Sequence, residues 1–125
     1  MIIAVGTDIV EVARIAEIRA RMGERFLTRV FGRDEIDYCL SLAVPERSLA
    51  ARFAAKEAVM KCLGTGWGRG VAFTQILVVR RGGGAPGLSL NGAAAETARR
   101  LGIRRFHLSL SHSEHYALAF AVAED

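Results

Sequence analysis

Cysteine is nearly absent from this 125-residue chain, and the two that occur do not make a framework. Cys39 and Cys62 each fall in a run that reads as helix, and there is no CxxC. A disulfide-stapled secreted scaffold is therefore excluded, and the cytoplasm, a reducing compartment, is the expected location. Lysine is scarce too: Lys56 and Lys61 are the whole set. Positive charge is carried by arginine, whose forked guanidinium suits carboxylates and phosphates. No apolar run approaches the ~20 residues of a membrane-spanning helix. The N-terminal MIIAVGTDIVEV has neither a basic n-region nor a small-residue cleavage site, and reads as a strand rather than a signal peptide. Familiar catalytic signatures are missing. There is no GxSxG elbow. GTGWGRG fits neither GxxxxGK[ST] nor GxGxxG, and it follows a helix, whereas a P-loop precedes one. His112 and His115 lack the company of a zinc site.

What is present points to one domain, residues 1–125, with a core of its own. Apolar residues make up 51% of the chain, which excludes intrinsic disorder. The net charge of +4 is uneven. The window from Arg14 to Arg33 holds six arginines against Glu17 and Glu24, and the rest of the chain balances. Such a cluster is either a solvated helical face or a docking surface for an acidic partner, protein or nucleic acid.

Periodicity gives the elements. Ile2–Val5 is a short strand, and helical spacing runs from Ile9 to about Met22. Phe26, Leu27, Val30 and Phe31 form a second stripe. Asp34 is placed to cap a helix reaching Leu42. The longest helix is Pro45–Leu63, opened by a proline that loses no hydrogen bond there and closed by Gly64. Ala72–Val79 and Leu88–Leu90 read as strands around the loop Arg80–Gly87, and Gly92–Leu101 as an Ala-rich helix. Phe106–Ser111 and Tyr116–Ala123 alternate like a final hairpin. The expected fold is α+β, a single domain with a mostly antiparallel sheet and one long central helix.

The chemistry concentrates on that helix. Its alanines (50, 51, 54, 55 and 58) and Leu49, Phe53, Met60 and Leu63 predict burial, yet Lys56, Glu57 and Lys61 sit in its second half. Glu57 and Lys61 are four apart, as in a surface ion pair. The glycines that follow let backbone approach a ligand closely. Asp8 is a second carboxylate at a strand end, where it serves either as a helix N-cap or as a ligand. Two carboxylates from separate elements beside a lysine suit a hard cation bridging to phosphate. Ser109 and Ser111 share one strand face with His107. Hydroxyls and imidazoles at a strand end serve there as structural partners or phosphate contacts.

The segments GTDIVEVARI (6–15), RFAAKEAVMKCLGTG (52–66), GGAPGLSLNG (83–92) and SLSHSEHYALAFAV (109–122) occur in order over nearly the whole chain. Together they resemble the holo-acyl-carrier-protein synthases, the short phosphopantetheinyl transferases. Departures are mild: Thr7 stands where an aliphatic residue is usual, and Cys62 where alanine is common. The resemblance implies transfer of 4′-phosphopantetheine from coenzyme A to a serine of apo acyl carrier protein, in fatty acid biosynthesis. It implies Mg²⁺ held by Asp8 and Glu57, with Lys61 on the phosphates. It implies Arg52 and His107 at the 3′-phosphate end of CoA, with Gly64, Thr65, Gly66, Pro86, Ser111 and His112 as further pocket walls. Arg14 corresponds to an arginine that grips acidic residues of the carrier, with Arg21 and Arg25 as helpers on charge grounds. A homotrimer with sites between subunits is implied, its interface on the strand faces near 106–110 and 117–122. The serine nucleophile comes from the partner, so no activated nucleophile is needed here. Its base is Glu57, a metal-bound water, or an acid of the Asp34–Glu35–Asp37 cluster. A nucleic-acid module fits the sequence pI of 9.7 but lacks interleaved aromatics and leaves Glu57 unexplained. A non-catalytic oligomer is the third reading; metal-dependent CoA binding separates the first from the other two. Neither nucleic acid nor a membrane is expected as a partner.

Overall fold

Small side chains decide how the elements stack. The computed structural model describes residues 1–66 and 69–125; Trp67 and Gly68 of the glycine-rich run lie outside the described residues. In chain order the elements are β1 (Ile2–Glu11), α1 (Val12–Met22), α2 (Glu24–Val30), α3 (Arg33–Leu40), α4 (Pro45–Leu63), β2 (Ile76–Arg80), β3 (Pro86–Leu90), α5 (Gly92–Arg100), β4 (Arg105–His112) and β5 (Tyr116–Glu124). Strands β1, β5 and β4 form one antiparallel sheet in that order, and β2 and β3 form a separate hairpin. The fold is α+β, as expected, although the antiparallel strands divide into two sheets.

Helix α4 lies across the inner face of the larger sheet. Ala117, Ala119, Ala121 and Ala123 of β5 are fully buried there, and so are Ala50, Ala54, Ala55 and Ala58 of α4. Alanine on both sides lets helix and sheet approach closely. Gly6 shows how closely: a Cβ at this position would lie 2.0 Å from the Ala58 carbonyl oxygen. The ends of α4 follow local rules. Pro45 occupies the first turn, and Gly64 ends the helix in the left-handed region at φ 72°. Beside the helix, the Phe53 and Phe73 rings stack 5.3 Å apart, and Phe26 meets Phe31 edge-on at 5.8 Å. The buried rings of Phe26, Phe31 and Phe53 each contribute about 1.5–3 kcal/mol through apolar area.

Three local expectations are revised by the structure. Strand β1 continues past Val5 to Glu11, because residues 7–11 pair with Phe120 through Tyr116 of β5. Ladder hydrogen bonds outweigh the helical spacing that begins at Ile9, and α1 starts at Val12, whose N–H donates to the His115 carbonyl at 2.8 Å. Asp8 is therefore a strand residue opposite Ala119, and no N-cap. Residues 73–75 form a 3₁₀ turn before β2 rather than strand. The N–H of Gly32, at the start of α3, donates to Glu35 Oε1 at 2.9 Å, so Glu35 does the capping expected of Asp34.

Candidate active site

Strand alternation turns Asp8 toward α4, with Gly6 and Val10, and leaves it half-buried. One turn from the end of α4, Lys61 reaches this strand. Its Nζ donates to the Thr7 carbonyl at 2.7 Å and to Asp8 Oδ1 at 3.4 Å. Glu57, partly buried, stands one turn earlier, about 40° around the helix from Lys61. Asp8, Glu57 and Lys61 thus gather at one edge of the helix–sheet junction. Beyond them, Thr65 Oγ1 is buried without a hydrogen-bond partner, beside Gly64 and Gly66, whose backbones take positive φ.

Lys56, five residues before Lys61, behaves differently. It is fully buried, and its Nζ donates to Glu35 Oε1 at 2.8 Å and to the carbonyls of Phe73 and Ile76 at 3.1 and 2.5 Å. Burial pushes its pKa down, and the facing Glu35 carboxylate opposes that shift. Glu35 Oε2 accepts from the Val78 N–H at 3.0 Å, so both carboxylate oxygens are committed to the fold. This takes Glu35 out of the set of candidate bases.

Arg52 is the other buried cation of α4, with 6% of its surface exposed. Glu35, Arg52 and Lys56 are the buried ionic residues among those described, so the interior carries one cation in excess. Arg52 Nη1 donates to Ser48 Oγ at 2.6 Å, but its Nε has no partner. An unmatched buried guanidinium is costly unless an anion completes it. It opens on a cleft of about 230 Å³ shared with Tyr38, Ser48, Arg80, Pro86 and His112. Helical geometry places Arg52 about 180° around α4 from Lys61.

The structure brings Arg52, Pro86 and His112 together, and does not bring His107 to them. His107 lies on the opposite face of β4, exposed, where its Nε2 is 2.8 Å from Glu124 Oε1. That hydrogen bond, with Arg105 nearby, holds the Glu124 carboxyl below its usual range. His107 lines another cleft, of about 370 Å³, with Arg81, Arg104 and Arg105. Ser111 shares the exposed face with His107. The predicted pairing of Arg52 with His107 at one phosphate therefore does not occur within a single chain.

Of the three arginines expected at a partner, Arg14 rims an apolar cleft of about 460 Å³ walled by Ile18, Phe26, Phe53 and Phe73, with Arg29 on the same rim. Arg21 pairs with Glu17 one turn away at 3.6 Å, and Arg25 is exposed on α2. Sequence reasoning missed Ser48, Tyr38, Arg80 and the Glu35–Lys56 pair. Ser48 had a signal, its i,i+4 spacing to Arg52. The others are joined only by tertiary contacts.

A buried guanidinium with an unpartnered Nε on one side of α4, and a lysine–carboxylate edge on the other, are features suited to a phosphorylated ligand. Comparison with known proteins makes this specific. A model of the 4′-phosphopantetheinyl transferase superfamily matches residues 4–121. Holo-[acyl-carrier-protein] synthase of Koribacter versatilis is 50% identical over 125 residues, all of both chains. The crystal structure of the Neisseria meningitidis holo-[acyl-carrier-protein] synthase superposes with a TM-score of 0.91 at 37% identity, covering all of both chains. The Helicobacter pylori enzyme in complex with coenzyme A gives 0.85 at 31%, over 97% of this chain and 100% of that one. The chain belongs to the 4′-phosphopantetheinyl transferase superfamily, and within it to the holo-[acyl-carrier-protein] synthases.

Proposed function

We propose that this chain transfers the 4′-phosphopantetheine moiety of coenzyme A to a serine hydroxyl of apo acyl carrier protein, serving fatty acid biosynthesis. The serine oxygen forms a bond to the phosphorus that bears pantetheine. The bond from that phosphorus to the leaving phosphate breaks, adenosine 3′,5′-bisphosphate departs with the electron pair, and the serine proton passes to a base. The observation that carries this reading is the Lys61–Asp8 contact at one edge of α4, with Glu57 one helical turn before Lys61 and Arg52 buried on the far side of the helix.

Asp8 and Glu57 are the residues to hold Mg²⁺. The chemistry of the donors fits: the Lys61 ammonium already rests against the Thr7 carbonyl and the Asp8 carboxylate, both hard oxygen ligands. When bound, the ion would neutralise charge on the diphosphate. Lys61 is exposed enough to turn toward the phosphates and donate to nonbridging or leaving oxygens. Thr65, with its unpartnered hydroxyl, and the positive-φ backbones of Gly64 and Gly66 form the adjoining wall. The Arg52 cleft, with Pro86 and His112, takes the 3′-phosphate end.

These two half-sites face away from each other across α4, which supports completion of each site by a neighbouring copy in a homotrimer. The outer sheet face supports the same reading. Val5 and Ile9 of β1 are 56% and 62% exposed, and Tyr116, Leu118 and Phe120 of β5 are 42–50% exposed, a contiguous apolar face of the kind that marks interfaces. The apolar cleft rimmed by Arg14 and Arg29 suits an acidic carrier helix with apolar side chains. Two free, buried cysteines suit the cytoplasm.

The test is intact-mass spectrometry of an apo carrier incubated with this protein, CoA and Mg²⁺. A gain of one phosphopantetheine is expected. No gain, with a carrier shown competent by another transferase, refutes the reading.

A further inference from the structure

The cleft around Arg52 contains a second arginine, Arg80, that the reading above leaves without work. Arg80 ends β2, and its guanidinium carbon lies 4.4 Å from the centroid of the Tyr38 ring; that of Arg52 lies 4.8 Å from the same centroid. Two cations therefore share one aromatic ring. The negative face of the ring attracts each of them, while their mutual repulsion remains. Among the described residues no carboxylate pairs with either guanidinium. Gly84, in the tip of the β2–β3 hairpin, takes φ 83° and lies beside the Arg80 guanidinium, a Cβ there being 3.4 Å from Nη2.

This arrangement is unfavourable when empty and becomes favourable when a dianion enters. One cation is buried with an orphaned Nε–H, and the other is exposed at the mouth of the same cleft. A phosphate monoester accepts several charge-assisted hydrogen bonds at once and matches forked donors. A diphosphate diester linkage offers less charge per phosphorus and is claimed by the Asp8–Glu57–Lys61 edge.

We propose that Arg80 is a specificity-determining residue that, together with Arg52, clamps the 3′-phosphate of coenzyme A, and that Tyr38 is a positioning residue that holds both guanidiniums. This rests on the assignment of the Arg52 cleft to the 3′-phosphate end. Arg80 thereby selects CoA over 3′-dephospho-CoA, a molecule with the same reacting diphosphate.

The experiment compares kcat/KM for CoA with that for 3′-dephospho-CoA in wild type, Arg80→Ala, Tyr38→Leu and Arg52→Ala. Calorimetric binding of adenosine 3′,5′-bisphosphate and of adenosine 5′-phosphate, without carrier, accompanies it. Arg80→Ala should lower the CoA preference by roughly tenfold or more, the range of a lost charge-assisted bond. The loss should appear in KM and in bisphosphate binding, with the melting curve unmoved. Tyr38→Leu should lower the preference in the same direction. If Arg52→Ala lowers the preference and Arg80→Ala leaves it unchanged, Arg80 has no such role and the cleft assignment stands. If Arg52→Ala also leaves it unchanged, the 3′-phosphate is bound elsewhere and both assignments fall.

Discussion

Two lysines on one helix, five residues apart, do opposite work. Lys56 is fully buried, fixed by a carboxylate and two carbonyls, and touches three other elements of the fold. Lys61 has half its side chain exposed and holds Asp8 by a long 3.4 Å contact. A buried pair is stiff because releasing either charge leaves the other desolvated. An exposed pair contributes little and can exchange partners at small cost. Between the two stands Glu57, so one stretch of helix anchors a rigid frame and presents a changeable contact to a ligand.

The largest effect expected is on the rigid pair. Lys56→Met should cost about 3–5 kcal/mol of stability by stranding Glu35. The double variant Lys56→Met/Glu35→Leu should cost clearly less than the sum of the single variants. Denaturant titrations of all three give the coupling, and simple additivity would show that the pair is not a unit. Next come the carboxylates of the other edge. Asp8→Asn and Glu57→Gln should each lower transfer by roughly 100-fold or more while the circular dichroism melt stays near wild type. Full transfer in either variant would remove it from the metal pair. Lys61→Ala should also slow transfer, by roughly 100-fold, with stability changed by less than about 1 kcal/mol. A large stability loss there would erase the contrast with Lys56.

Arg14→Ala should raise KM for the carrier a few-fold more than KM for CoA, and added salt should reproduce the change. Equal effects on both substrates would take Arg14 away from docking. The smallest effect concerns the thiols, Cys39 beside the buried network and Cys62 next to Lys61. Burial pushes both pKa values up, despite the Ser48 hydrogen bond that lowers Cys39. The folded chain keeps protons that the unfolded chain releases near the ordinary thiol value of 9.0, so stability should fall as pH rises above that value. A thiol reagent should label neither cysteine in the native state and both in denaturant.

Local signals were legible in the sequence, and pairings across the chain were not. Pro45 and Gly64 bounded α4 correctly, since capping is decided within a few residues. The end of β1 was misplaced because its partner, β5, lies more than 100 residues away and overrides the helical spacing. The site split in the same way. The edge formed by Asp8 and Lys61 is joined as its motifs implied. Within one chain Arg52 and His107 do not meet, because of strand parity: residues 107 and 112 of β4 are an odd number apart and so point to opposite faces. It is His112 that meets the Arg52 cleft. Tyr38 and Arg80 come from α3 and β2, and no spacing within either element announces that they meet.

The missing side chain of Gly6 also fixes a tolerance. Main chain rests on main chain where β1 crosses α4, so the gap between the strand that carries Asp8 and the helix that carries Glu57 is not set by rotamers. Rotamers can be exchanged one at a time as a sequence drifts; a backbone-to-backbone spacing cannot. The Asp8–Glu57 spacing is thus insulated from drift, while the cleft rimmed by Arg14 and the Tyr38–Arg80 cleft, built from side chains, can be retuned one residue at a time.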